Sequence, residues 1–260
     1  MDTIYTLLFI ILGTLIGSFN NVVIHRYPRG ESIVKPRSRC PECGHVLAWY
    51  ENIPLFSYLF LRGRCSSCKE PIPIRYFLVE LLTGLLFGFA FAYYGFSAEL
   101  IFALIFIDVG LIIIYIDLDH HFIPDLFNAI LFVLASGYVV YQAVTVEGFN
   151  VGTHLFGLII GFMLLYMIRI FGELAYKREA LGLGDVKLLA VGGFYLGWPN
   201  VLLTIMLASV IASVIELTLI KMKKKDRRDE IAFGPYLMGV MIILMFFGND
   251  LISWYINLLA

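Results

Sequence analysis

Long apolar runs follow one another from end to end of this chain and leave it few ways to fold. A membrane-crossing helix needs about 20 largely apolar residues. Eight stretches meet or approach that length: about 4–24, 76–96, 99–117, 122–143, 152–172, 185–198, 200–220 and 232–258. With 60% hydrophobic and 15% charged residues, the chain has too little charge to solvate the surface of a soluble domain. The fold class is therefore all-α, a polytopic membrane protein with about eight transmembrane helices. The first run has no basic region ahead of it and no small-residue cleavage site behind it, so it reads as a retained anchor rather than a signal peptide. The sixth is short. Gly184 to Trp198 would reach about 22 Å at 1.5 Å per residue, against an apolar core about 30 Å thick. It either dips partway or marks a thinned, wet place in the membrane.

The distribution of basic residues tests the count. With the N-terminus outside, the inner segments are 25–75, 118–121, 173–184 and 221–231. These hold all 19 Lys and Arg, with Arg169 and Lys187 snorkelling from helix ends. The outer connections near Phe96, Val146–Gly152 and Pro199–Asn200 hold none. That asymmetry follows the positive-inside rule and predicts both termini outside. The chain then divides into a first helix (1–24), a cytoplasmic loop (25–75) and a membrane-embedded domain (76–260). The charged run KMKKKDRRDE (221–230) is a topogenic, solvated loop, with binding of acidic headgroups as the lesser reading.

All four cysteines fall in the cytoplasmic loop, as Cys40-Pro-Glu-Cys43 and Cys65-Ser-Ser-Cys68. Two CxxC knuckles at this separation suit a tetrahedral four-thiolate zinc site, and a reducing compartment disfavours disulfides. Four thiolates leave no open position for water, so the metal is structural. A loop this small has little core of its own, and the ion would hold it together.

Two carboxylates stand out against the apolar background. Asp117 closes one run in IDLDHHFIPD, and Asp185 opens another in LGLGD. An ionisable group at membrane depth is a functional candidate by default. Bland readings compete. Asp119, His120 and His121 read as interfacial turn residues, Asp125 as a charge complementing a helix N-terminus, and Asp185 as a helix-opening acid. Asp108 and Glu216, inside apolar spans, read as partners of other polar groups or as residues facing a cavity. Two carboxylates within a few ångströms cannot both ionise easily. They share a proton, and one can activate water while the other protonates an amide, as aspartic proteases do.

Several segments together resemble the type IV prepilin peptidases, also called leader peptidase/N-methyltransferases. They are GSFNNVVIHRYPRGE (17–31), the two cysteine knuckles, NIPLFSYLFLRGRC (52–65), RYFLVELLTG (75–84), IDLDHHFIPD (116–125), EALGLGDVKLLA (179–190) and FGPYLMG (233–239). The LGLGD at 181–185 conforms to the GxGD pattern of membrane aspartyl proteases. The resemblance implies a multi-pass enzyme of the bacterial cytoplasmic membrane, with Asp117 and Asp185 as its catalytic pair facing the cytoplasm. It implies prepilin and pseudopilin substrates, surrounding lipid and no nucleic acid. It also implies methylation of the new N-terminal amine by S-adenosylmethionine, linked to the loop 25–75. Gly63, Glu51, Asn52 and Glu80 are the donor-site candidates near that loop. Three other readings stay open: a peptidase without methyl transfer, an ion-translocating transporter using Asp108, Asp117, Asp185 and Glu216, and a zinc-stabilised assembly scaffold.

Overall fold

The structure is a computed structural model that describes residues 2–177, 181–223 and 231–259. The described residues form helices and no strands. They are α1 (Asp2–Arg26), a short α2 (Phe56–Phe60), α3 (Ile74–Tyr94), α4 (Ala98–His120), α5 (Asp125–Thr145), α6 (Val151–Tyr176), α7 (Leu183–Leu196), α8 (Trp198–Lys221) and α9 (Gly234–Leu259). Seven of them, all but α2 and α7, are long and apolar enough to cross a membrane. The chain is a multi-pass membrane protein.

Eight spans were expected, and the sixth does not reach full length. Helix α7 has 14 residues, about 21 Å at the α-helical rise. Its end is built in: Gly197 adopts φ 85 and ψ 158, and Pro199 lies in the first turn of α8. What the helix lacks in length it makes up in enclosure. Residues 185, 186 and 188–195 are all buried, because α5, α6, α8 and α9 pack around it. Of the charged run 221–230, residues 224–230 lie outside the described residues.

The contacts divide the chain into two compact units, Met1–Ile112 and Ile113–Ala260. In the first, α1 lies against α3 through glycines spaced four apart on both helices. A Cβ on Gly13 would stand 2.7 Å from the Thr83 carbonyl oxygen, and one on Gly17 would stand 2.9 Å from Glu80 Cα. Gly84 returns the arrangement, with Thr14 Cγ2 at 2.6 Å. Backbones this close gain dispersion contact that lipid cannot match, the usual basis of helix association in membranes. The second unit repeats the device. Gly157 and Gly161 of α6 meet Gly193 and Leu189 of α7, and a Cβ on either Gly157 or Gly193 would strike the other's carbonyl oxygen.

Gly157→Val should therefore pry α6 from α7 and cost about 1–3 kcal/mol of stability. Gly239→Ala in α9, where a new Cβ meets open space, should be neutral or slightly stabilising. Thermal unfolding of the two variants in detergent checks both expectations.

Candidate active site

Four helix ends meet around Ile123. Helix α4 stops at His120, where His121 turns left-handed (φ 54) and its N–H reaches the Asp117 carbonyl at 2.9 Å. Pro124 then redirects the chain, and α5 begins at Asp125. Gly182 precedes α7 in extended backbone, and Gly234 starts α9. The side chain of Ile123 wedges into this junction. A Cβ on Gly184 would lie 2.9 Å from Ile123 Cβ, and one on Gly234 would lie 2.8 Å from Ile123 Cδ1. Only glycine fits at either place without displacing it.

Both aspartates sit beside that wedge and both are buried, Asp117 at 4% and Asp185 at 9% exposure. Asp117 accepts a hydrogen bond from the Gly234 N–H, and a Cβ on Gly234 would stand 2.7 Å from its Oδ2. The carboxylate thus covers the positive end of α9. Asp185 is the third residue of α7 and accepts the N–H of Gly182, the arrangement of an acid that reaches back to the residue before its helix. The helix-opening reading of Asp185 therefore holds for one side of the carboxylate. It does not account for the other side, since Oδ1 is buried and has no hydrogen-bond partner among the described residues. The charges of Asp117 and Asp185 act on each other. Two acids so placed resist ionising together, which is the condition for sharing a proton.

The flanking groups brace the site. Lys187 Nζ donates to Asp125 Oδ1 at 2.6 Å, tying α7 to the start of α5. Asp125 was expected to complement its own helix, and it also makes this exposed ion pair. Arg169 Nη1 donates to the Leu181 carbonyl at 3.2 Å, holding the approach to Gly182. Glu216 accepts from the Tyr236 hydroxyl at 3.0 Å. Asp108 accepts from Asn20 Nδ2 at 2.6 Å within the first unit. Both intramembrane acids thus have polar partners, as one of their sequence readings held.

In the cytoplasmic loop the four cysteines converge. Their sulfurs lie within 4.8 Å of one another, with Cys40–Cys68 at 3.9 Å and Cys43–Cys65 at 4.0 Å, and none is in a disulfide. Sulfurs at the corners of a tetrahedral zinc site stand about 3.8 Å apart, so the cluster fits a metal ion. The knuckles are built alike. In the first, the Cys40 N–H bonds the His45 carbonyl and the Gly44 N–H bonds the Cys40 carbonyl; in the second, the Cys65 N–H bonds the Glu70 carbonyl and the Lys69 N–H bonds the Cys65 carbonyl. Gly44 (φ 71) and Lys69 (φ 64) occupy the same left-handed corner.

Two of the four residues expected near a methyl-donor site, Glu51 and Glu80, brace that loop. Glu51 accepts from the Ser66 hydroxyl, from the Ala48 N–H at 2.7 Å and from His45 Nε2 at 3.0 Å. These bonds hold its pKa down to about 2, the Ser66 bond foremost. One carboxylate thereby spans both knuckles. Glu80 accepts the Leu55 N–H at 2.8 Å and a bond from Ser18, fastening the loop to α1 and α3. Gly63 (φ 66) is a turn under the Tyr58 ring, and Asn52 is exposed. Sequence reasoning missed Gly234 as the donor to Asp117. Its signal was the glycine of FGPYLMG, whose partner lies far away along the chain.

The chain is similar to known proteins over most of its length. Residues 11–94 match the bacterial peptidase A24 N-terminal domain, and residues 104–217 match the type IV leader peptidase family. Several relatives carry the name prepilin leader peptidase/N-methyltransferase. The Myxococcus xanthus protein is 42% identical over 82% of this chain, which spans 62% of that relative's length. The Stutzerimonas stutzeri and Pseudomonas aeruginosa proteins are each 34% identical over 97% of this chain and 94% of their own. No solved structure matches. On the two domain matches and these near full-length alignments, the chain belongs to the type IV leader peptidase family.

Proposed function

We propose that this protein cleaves the leader from prepilins and pseudopilins at the cytoplasmic face of a bacterial inner membrane, then methylates the amine so exposed. The observation that carries the peptidase reading is the pair of mutually interacting, buried carboxylates, Asp117 and Asp185, with one oxygen of Asp185 unpaired among the described residues. A water held between them would give a proton to the ionised acid while the protonated acid donates to the carbonyl oxygen of the scissile amide. The Gly234 and Gly182 amides fix the two side chains for that exchange. The basic residues of the loops favour the cytoplasmic side by the positive-inside rule, and bilayer lipid would surround the apolar faces. Residues 76–260 would form the peptidase domain behind the first helix (1–24) and the loop 25–75.

Cys40, Cys43, Cys65 and Cys68 would hold a structural zinc ion, which supplies cross-linking to a loop without a core. S-adenosylmethionine, when bound, supplies an electrophilic methyl group to the free amine. Glu51 and Glu80 serve this reaction by fixing the loop's shape rather than as open ligands, since their carboxylates already accept bonds from within it. Of the four acids in the transporter reading, Asp108 accepts from Asn20 and Glu216 from Tyr236.

Asp117→Asn and Asp185→Asn should each lower kcat for prepilin cleavage by at least about a hundredfold. Helical content and metal content should stay as they were. A fully active variant of either residue would sink the peptidase assignment. Gly234→Ala should cost at least about tenfold in kcat, because its Cβ would displace Asp117 Oδ2 and Ile123; circular dichroism and melting temperature separate that from unfolding. The purified protein should carry one zinc ion per chain by elemental analysis. Stripping it with a chelator should expose the loop to protease and abolish methylation of the mature pilin, read by mass spectrometry, before cleavage is lost.

A further inference from the structure

Four asparagines are buried in the described membrane helices, and three of them donate to a partner. Asn20 Nδ2 reaches Asp108, Asn21 Nδ2 reaches the Tyr76 carbonyl and Asn200 Nδ2 reaches the Leu196 carbonyl, at 2.6, 3.0 and 2.8 Å. The fourth, Asn128, is 4% exposed, and neither its amide nitrogen nor its oxygen has a partner among the described residues. A buried carboxamide unpaired at both ends is costly and rare in native folds. Strain, a functional role or a bound molecule that completes it are the reasons such a group persists.

Its place in the fold points to the last of these. Asn128 belongs to the buried stripe of α5 with Phe127, Leu131, Leu134 and Ala135, and α5 packs on α7. The two helices run in parallel, in a register fixed by Ile123 on Gly184, Asp125 with Lys187 and Phe132 stacked on Phe194. At 1.5 Å per residue that register sets Asn128 roughly 7 Å deeper than Asp185. An extended chain rises about 3.3 Å per residue, so this depth is two residues along a strand held at the carboxylates. A carboxamide offers one donor edge and one acceptor, the same complement as a peptide unit. A substrate drawn out of its helix for cleavage loses its own i→i−4 bonds, and at membrane depth no water replaces them.

From these observations we infer that Asn128 is a substrate-binding residue that hydrogen-bonds the backbone of the extended chain about two residues to the membrane side of the scissile bond. The inference rests on the peptidase reading above. Because it reads backbone and not side chains, it serves every substrate of the class alike.

Asn128→Leu keeps the approximate shape and removes both polar ends. Measured on the full-length protein with a purified prepilin, it should raise KM roughly tenfold, the worth of about two modest hydrogen bonds. The change in kcat should stay within about threefold. The same variant should melt at a higher temperature than the unsubstituted protein, because an unpaired amide has gone. Asn128→Ser, which retains a donor and an acceptor on a shorter arm, should recover part of the KM. A Leu variant that fails to fold, or melts lower, or keeps its KM would overturn the inference and make Asn128 an internally satisfied structural residue. Unsubstituted protein that cuts no prepilin would instead fell the peptidase reading, and this one with it.

Discussion

Carboxyl groups buried at the ends of helices are the constraint that the second unit is organised around. A carboxylate taken out of water is expensive unless something polar replaces its hydration. Here the replacement is backbone N–H at two helix N-termini: Gly234 at the start of α9 for Asp117, and Gly182 before α7 for Asp185. Such amides carry fixed partial positive charge and need no counter-ion. They hold the acids in place without neutralising them permanently, as a lysine or arginine would. The nearby lysine is directed elsewhere, since Lys187 pairs with Asp125.

That arrangement requires helix ends to approach more closely than side chains normally permit, and the glycines follow from it. Gly184 and Gly234 both face Ile123, and Gly234 also faces Asp117 Oδ2. Gly157 and Gly193 then let α6 press on α7 from behind. Helix α7 can be short because its neighbours bury it; a helix of that length facing lipid would leave its ends in hydrocarbon. Its brevity and its enclosure are one fact.

The sequence made much of this legible, and the gaps have physical reasons. Asp117 and Asp185 stood out because an acid bounding an apolar run is rare, and the cysteines because paired CxxC spacing encodes one geometry. Helix positions came from hydropathy, which averages over a window. It therefore registered α7 as a short sixth span ending near residue 198, and could not see that the neighbouring helices bury it. Hydropathy is also blind to which face a glycine occupies, so the four-residue glycine spacing of α1, α3 and α6 went unread. The partnership of Asp117 with Gly234 joins residues far apart in the chain, and no local pattern announces it. Lys69 shows the limit at the scale of one turn. Its knuckle carries lysine where the other carries Gly44, although both sites are left-handed. A non-glycine residue there costs about 1–2 kcal/mol, which the bonds of a bound metal would offset many times over.

The chemistry sets one more demand on the fold. On the proposed function the bond to be cut lies at membrane depth, and a peptide bond cannot be attacked while its carbonyl is tied into a helix. The chain must be drawn out, and each residue released at membrane depth leaves a donor and an acceptor to be satisfied. Water would serve, but a wet cleft would weaken the interaction between Asp117 and Asp185 on which proton sharing depends. Polar groups built into the wall and left unpaired in the free protein avoid that conflict. Asp185 Oδ1 and the Asn128 carboxamide are such groups, set in α7 and α5, the two helices that Ile123 and Gly184 lock in register. On the proposed function an extended chain would complete these hydrogen bonds, so that binding and unwinding of the substrate would be a single event.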